Sequence, residues 1–196
     1  MIFKETKLKG AFIIEPEKIE DERGFFARTY CRREFESHGL KPYVVQCNIS
    51  YNKRRGTLRG MHYQVGPYEE AKLVSCIRGA LYDVIIDLRS DSPTYRQWIA
   101  LELSGHNAAH CSPLTAVSAH CSPLTVNYNM LYIPEGFAHG FLTLTDNTEV
   151  FYQMSEFYMP ESARGVRWND PAFGIMWPID VAVISERDSK YPDFLT

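Results

Sequence analysis

The stretch Thr57-Leu58-Arg59-Gly60-Met61-His62-Tyr63-Gln64, followed eight residues on by Lys72-Leu73-Val74, gathers three side chains of complementary chemistry. Arg59 is a permanent cation whose planar fork suits phosphate. His62 can take or give a proton near neutral pH. Lys72 can neutralise a developing oxyanion. Together they suit proton abstraction from a phosphorylated substrate. Strand parity makes a geometric demand on them. Side chains two apart share a face, so His62 and Gln64 point one way and Arg59 the other in a regular strand. If both Arg59 and His62 serve one pocket, the register must break, and Gly60 is the natural place for a bulge.

Other candidates lie far away in sequence. Tyr152 and Tyr158 are six apart, and a regular strand would put them on one face, where a tyrosine can donate a proton. The plainer alternative is core aromatic packing. Pro134-Glu135-Gly136-Phe137-Ala138-His139 is half of the cupin metal pattern. The other half needs His-x-His, and His62-Tyr63-Gln64 stands in its place, so no metal site is expected. Ser185-Glu186-Arg187-Asp188 resembles a capping box. Asp188 could equally orient a histidine, as a carboxylate does in a triad. Ala109 to Thr115 (AHCSPLT) recurs as Ala119 to Thr125. Its His-Cys steps could bind a soft metal, but a duplicated loop insertion is the simpler reading, since two copies cannot build a solenoid.

Many short apolar runs separated by turn residues must position these groups. Strands are expected near Lys7–Lys18, Tyr43–Ser50, Leu58–Gln64, Ala71–Cys76, Leu81–Leu88, Tyr95–Leu103, Met130–Ile133, Phe137–Thr145 and Glu149–Tyr158. Asp21-Glu22-Arg23-Gly24 is a turn before an aromatic run. Arg32–His38 reads as a short helix stopped by Gly39. This is an all-β pattern, a sandwich or barrel with few short helices. The chain of 196 residues is expected to form one domain, 1–196, with an atypical insertion at about 108–127. A net charge of -3 and the lack of a basic run exclude a nucleic-acid footprint. No apolar run approaches the ~20 residues that span a bilayer, and the N-terminus has no signal-peptide pattern. The 5 cysteines form no CxxC pair, so reduced thiols and a cytoplasmic location are expected.

Taken in order, these motifs resemble the dTDP-4-dehydrorhamnose 3,5-epimerase family. The resemblance rests on Asp21 to Phe26 (DERGFF), Leu58 to Gln64 (LRGMHYQ), Lys72-Leu73-Val74, Asp83 to Arg89 (DVIIDLR), Ser92-Pro93-Thr94, Ile133 to Phe141 (IPEGFAHGF), Trp168-Asn169-Asp170 and Ser185-x-Arg187-Asp188. It implies a cupin-like double-stranded β-helix, or jelly-roll sandwich, acting as a homodimer without metal or organic cofactor. The implied reaction inverts C3 and C5 of a dTDP-linked 4-keto-6-deoxy sugar. By motif, His62 would be the base, Asp188 its partner, Tyr152 the acid on the opposite face and Lys72 the enolate stabiliser. Arg23, Gln46, Asn48, Arg59, His139, Tyr158 and Arg187 would hold the nucleotide sugar. The chain departs from the family at Arg28, where an acid is frequent. It departs again at Ala163, where an acid is also frequent, and at Arg187, where lysine is common. A C3-only epimerase, a ketoisomerase on a related nucleotide sugar and a non-catalytic sugar-nucleotide binder are the alternatives.

Overall fold

The computed structural model describes residues 1–106, 108 and 127–194. The duplicated segment, with its His-Cys steps, lies outside the described residues. In chain order the elements are β1 (Ile2–Glu5), β2 (Phe12–Glu15), β3 (Lys18–Asp21), β4 (Gly24–Ala27), α1 (Arg32–Ser37), β5 (Gln46–Asn52), β6 (Thr57–Gln64) and β7 (Lys72–Arg78). They continue as β8 (Ala80–Asp87), β9 (Trp98–Ser104), β10 (Met130–Ile133), β11 (Phe137–Thr143), β12 (Thr148–Met154), β13 (Ala163–Gly165), β14 (Val183–Ile184) and α2 (Glu186–Ser189).

Two sheets face each other. One has the order β1-β2-β10-β7-β12-β5, and the other β13-β6-β11-β8-β9 with β14 added beside β6. All pairings within them are antiparallel except that of β14 with β6. This is the all-β, cupin-like sandwich expected from the sequence.

Between the sheets lies a core of Val74, Leu81, Ile85, Leu131, Phe141, Val150 and their neighbours. α1 covers the outer face of the first sheet through Phe35, which packs with Ile14, Leu73 and Met130. The segment after β13 covers the second sheet, with Val166 and Phe173 against Met61, Val84 and Ile86. Strands covered on both sides must be apolar on both sides, which is why β8 and β11 read as continuous hydrophobic runs.

Three of the differences from the sequence reading have a plain local cause. β1 was not expected, because its residues are half lysine and glutamate; edge pairing with β2 leaves those side chains in water. β9 starts at Trp98, because Arg96 at φ 64° and the Gln97 N–H to Thr94 carbonyl bond form a turn first. β12 stops at Met154, the residue opposite the start of β5. Ser155 then turns to Ala71, donating its N–H to the Ala71 carbonyl and accepting the Ala71 N–H on its hydroxyl. Tyr158 therefore sits on a loop rather than a strand.

Candidate active site

A cavity of about 420 Å³ opens between the two sheets at the ends of β5, β6, β7, β11 and β12. Parity on β5 aims Gln46, Asn48 and Ser50 into it, and β12 contributes Tyr152. From β6 come both Arg59 and His62. The register between β6 and β11 explains how. His139 pairs with His62, but Phe141 pairs with Arg59, so β6 spends three residues where β11 spends two. The extra residue falls at Gly60–Met61, and Gly60 has φ 131°. A Cβ there would lie 2.4 Å from the Gly140 Cα. The bulge demanded by the sequence is present, and it turns Arg59 to the same side as His62.

The bulge is held by the far end of the chain. β14 pairs with the start of β6, Val183 opposite Thr57 and Ile184 opposite Leu58, and delivers α2 to the site. Ser185 caps α2 by accepting the Asp188 N–H at 3.0 Å. That leaves the Asp188 carboxylate for two other partners. It accepts the Gly60 N–H at 3.1 Å and lies 2.7 Å from His62 Nε2. The cap and the contact with a histidine are both present, on different atoms. Burial pushes the Asp188 carboxyl up, but the His62 hydrogen bond and charge, with the Gly60 and Ser185 donors, hold it below the ordinary carboxylate value. Nε2–H donation to Asp188 fixes the tautomer and leaves Nδ1 as the lone-pair nitrogen of His62.

Lys72 Nζ is 2.9 Å from Glu70 and donates to the His62 carbonyl at 3.3 Å; both members of the ion pair are buried. His139 lies across the strand pair from His62 and is backed by the fully buried Asp83 at 2.5 Å. Its ring stands edge-on to Tyr152, 6.3 Å between centroids. Burial pushes the Tyr152 phenol well up, so it stays neutral. Gln64, where the metal pattern needed histidine, is structural. It donates to the carbonyls of Tyr68 and Phe157 and accepts from the Met159 N–H. That staple holds the loop carrying Tyr158, which reaches the cavity together with Arg187.

Of the eleven residues singled out by sequence, nine line the cavity and Asp188 stands directly behind His62. Arg23 is not brought there. It sits at the tip of the β3–β4 hairpin, its side chain 89% exposed and paired with Asp21. Sequence reasoning missed Ser50, Glu70 and Asp83. Ser50 was legible as the third term of the Gln46, Asn48, Ser50 alternation. Asp83 and Glu70 gave no such signal, since a lone acid in an apolar run looks the same whether or not a cation faces it.

The family model for dTDP-4-dehydrorhamnose 3,5-epimerase matches residues 5–120 and 110–195. The chain belongs to the dTDP-4-dehydrorhamnose 3,5-epimerase family. The two matched pieces overlap at 110–120, so the family pattern resumes within the duplicated segment. Among relatives bearing that name, the chain is 41% identical to one from Methanothermobacter thermautotrophicus over 192 residues, 96% of this chain and 92% of the relative. It is 38% identical to one from Sinorhizobium fredii over 193 residues, 98% of this chain and 89% of the relative. A crystal structure of the Bacillus anthracis enzyme with TDP and PPi bound is 37% identical, with a TM-score of 0.85, covering 98% of this chain and 99% of that one. As a member of this family the chain is an epimerase, an isomerase-class enzyme inverting C3 and C5 of a dTDP-linked 4-keto-6-deoxy sugar. Among the described residues, no helix is long and apolar enough to cross a membrane.

Proposed function

We propose that this epimerisation proceeds by proton transfer across the cavity, with His62 and Tyr152 on its two sides. The C4 ketone of dTDP-4-dehydro-6-deoxy-D-glucose acidifies the C3 and C5 protons. His62 removes one through Nδ1, and the resulting imidazolium is stabilised by Asp188. The electron pair moves onto the C4 oxygen, where Lys72 neutralises the enolate. Tyr152 returns a proton to the opposite face, and the centre inverts. Repetition at the second centre gives dTDP-4-dehydro-L-rhamnose. General acid–base transfer of this kind supplies about 10²–10⁴-fold. Arg59, Gln46, Asn48, His139, Tyr158 and Arg187 hold the nucleotide sugar, with the cations on the diphosphate. The observation that carries this reading is the bulge at Gly60, which puts Arg59, His62 and the Asp188 contact on one wall of a cavity whose other wall holds Tyr152.

Arg23 enters this reading through a homodimer. The β3–β4 hairpin exposes Ile19 and Phe26, at 70% and 73%, and β5 exposes Ile49 at 64%. These apolar side chains suit burial against a second copy, and Arg23 would then serve the partner's cavity rather than its own. The enzyme would work in the cytoplasm, as one domain interrupted at about 108–127.

Incubation with dTDP-4-dehydro-6-deoxy-D-glucose in D2O tests the chemistry. Two deuterons in the product are expected, at C3 and C5. One deuteron would mean a single-centre epimerase, and none would overturn the mechanism.

A further inference from the structure

Tyr152 does not stand alone. Among the described residues its hydroxyl has one hydrogen-bond partner, the Ser50 hydroxyl at 3.2 Å. Ser50 Oγ is also reached by Asn52 Nδ2 at 3.4 Å, and Asn52 Oδ1 by Arg59 Nε at 2.8 Å. Geometry alone leaves the Ser50–Tyr152 bond able to run either way, and the far end of the chain sets what Ser50 receives.

Arginine has donors and no acceptor, so Arg59 Nε–H must donate and Asn52 Oδ1 must accept. Asn52 Nδ2 is then the donating end. An independent contact agrees, because Nδ2 also lies 3.1 Å from the Thr148 carbonyl, which can only accept. Asn52 is 1% exposed and locked by these partners. Ser50 Oγ accepts from Asn52 on one lone pair, and its own proton is free to donate to Tyr152 Oη. When Oη accepts from Ser50, the phenol proton is free to point into the cavity.

We propose that Asn52 and Ser50 are positioning residues forming a one-way hydrogen-bond relay from Arg59 to Tyr152, which aims the phenol proton at the substrate carbon and stabilises the phenolate that remains. The proposal rests on the reading of Tyr152 as proton donor. In the step itself the Tyr152 O–H bond breaks and its proton joins the enolate carbon. The enolate electron pair forms the new C–H bond, and the C4 carbonyl is restored. The phenolate is left accepting from Ser50, which keeps its proton, and regains its own from water. The guanidinium charge at the head of the chain polarises each bond toward the tyrosine. Arg59 thus ties phosphate binding to the state of the acid.

The test compares inversion with exchange in D2O. Removal of a proton by His62 and its return to the same face labels the recovered substrate without inverting it. Ser50→Ala is expected to slow product formation about tenfold, with KM changed less than twofold and extra deuterium in recovered substrate. Ser50→Thr, which restores the hydroxyl, should return both to the wild-type pattern. Asn52→Asp removes the donor to Ser50 and turns the relay round, so inversion should fall further than in Ser50→Ala. If Ser50→Ala folds poorly, Ser50→Cys carries the same prediction with a weak donor of similar shape. Wild-type turnover in Ser50→Ala, equal loss of exchange and inversion, or no recovery in Ser50→Thr would each overturn the relay. Tyr152→Phe separates the two levels. Full inversion in that variant overturns the donor role itself, whereas normal loss there with an indifferent Ser50→Ala overturns the relay alone.

Discussion

At the scale of the residue, the site pairs two histidines and a lysine each with one carboxylate. His62 has Asp188, His139 has Asp83 and Lys72 has Glu70. A partner decides which nitrogen is free and where a charge points. His62→Ala should therefore cost about 10²–10⁴ in turnover and abolish deuterium exchange at both centres, measured by mass spectrometry of product and recovered substrate. Asp188→Asn tests the partner. Because the folded carboxyl is held below its ordinary value of 3.8, its contribution to stability is present above that pH and lost as pH falls through the lower folded value. Urea unfolding of wild type and Asp188→Asn should therefore differ at pH 6 and converge well below pH 3.8.

At the scale of the element, β6 carries the site because it is irregular. A regular strand would have turned Arg59 away from His62. Gly60 permits the extra residue, and Asp188 on α2 accepts the Gly60 N–H at the bulge. Gly60→Val would bring its Cβ to 2.4 Å from the Gly140 Cα at φ 131°, a conformation that β-branched side chains rarely adopt. It should destabilise by roughly 3 kcal/mol or more and weaken turnover beyond the stability loss, measured by thermal unfolding alongside kcat. A second close approach lies beside it. Gly165 on β13, opposite His62, would place a Cβ 2.3 Å from the Tyr191 ring, which stands edge-on to His62 with 6.0 Å between centroids. Gly165→Ala should displace that ring and lower kcat more than it raises KM.

At the scale of the whole molecule, the two sheets bury their outer faces unequally. α1 and the segment after β13 cover apolar side chains of the two sheets, but Ile19 and Phe26 on the β3–β4 hairpin and Ile49 on β5 remain exposed. If these surfaces meet a second copy, Ile49→Asp should shift the protein toward monomer in sedimentation velocity while leaving the far-UV spectrum unchanged. Arg23→Ala should then raise KM with little change in kcat, since its proposed contact is with nucleotide rather than with the reacting carbons. A dimer retained in Ile49→Asp would place the interface elsewhere.

The sequence by itself determined the strand pattern, the helix stopped by Gly39, and most of the residues that meet in the cavity. Period-two alternation and turn chemistry are local, and β5, β6 and β8 declare themselves through them. Even the bulge at Gly60 followed from parity, once Arg59 and His62 were required to share a pocket. What only the tertiary structure decided was pairing across long separations. Whether Asp188 capped α2 or held His62, 126 residues away, depended on β14 docking beside β6. Whether Glu70 and Asp83 were surface acids or buried partners depended on which cation faced them across the sandwich. Whether Tyr152 faced the cavity depended on which side of β12 met it. Local sequence fixes the direction a side chain points along its own strand, but its partner is chosen by the sheet that arrives opposite.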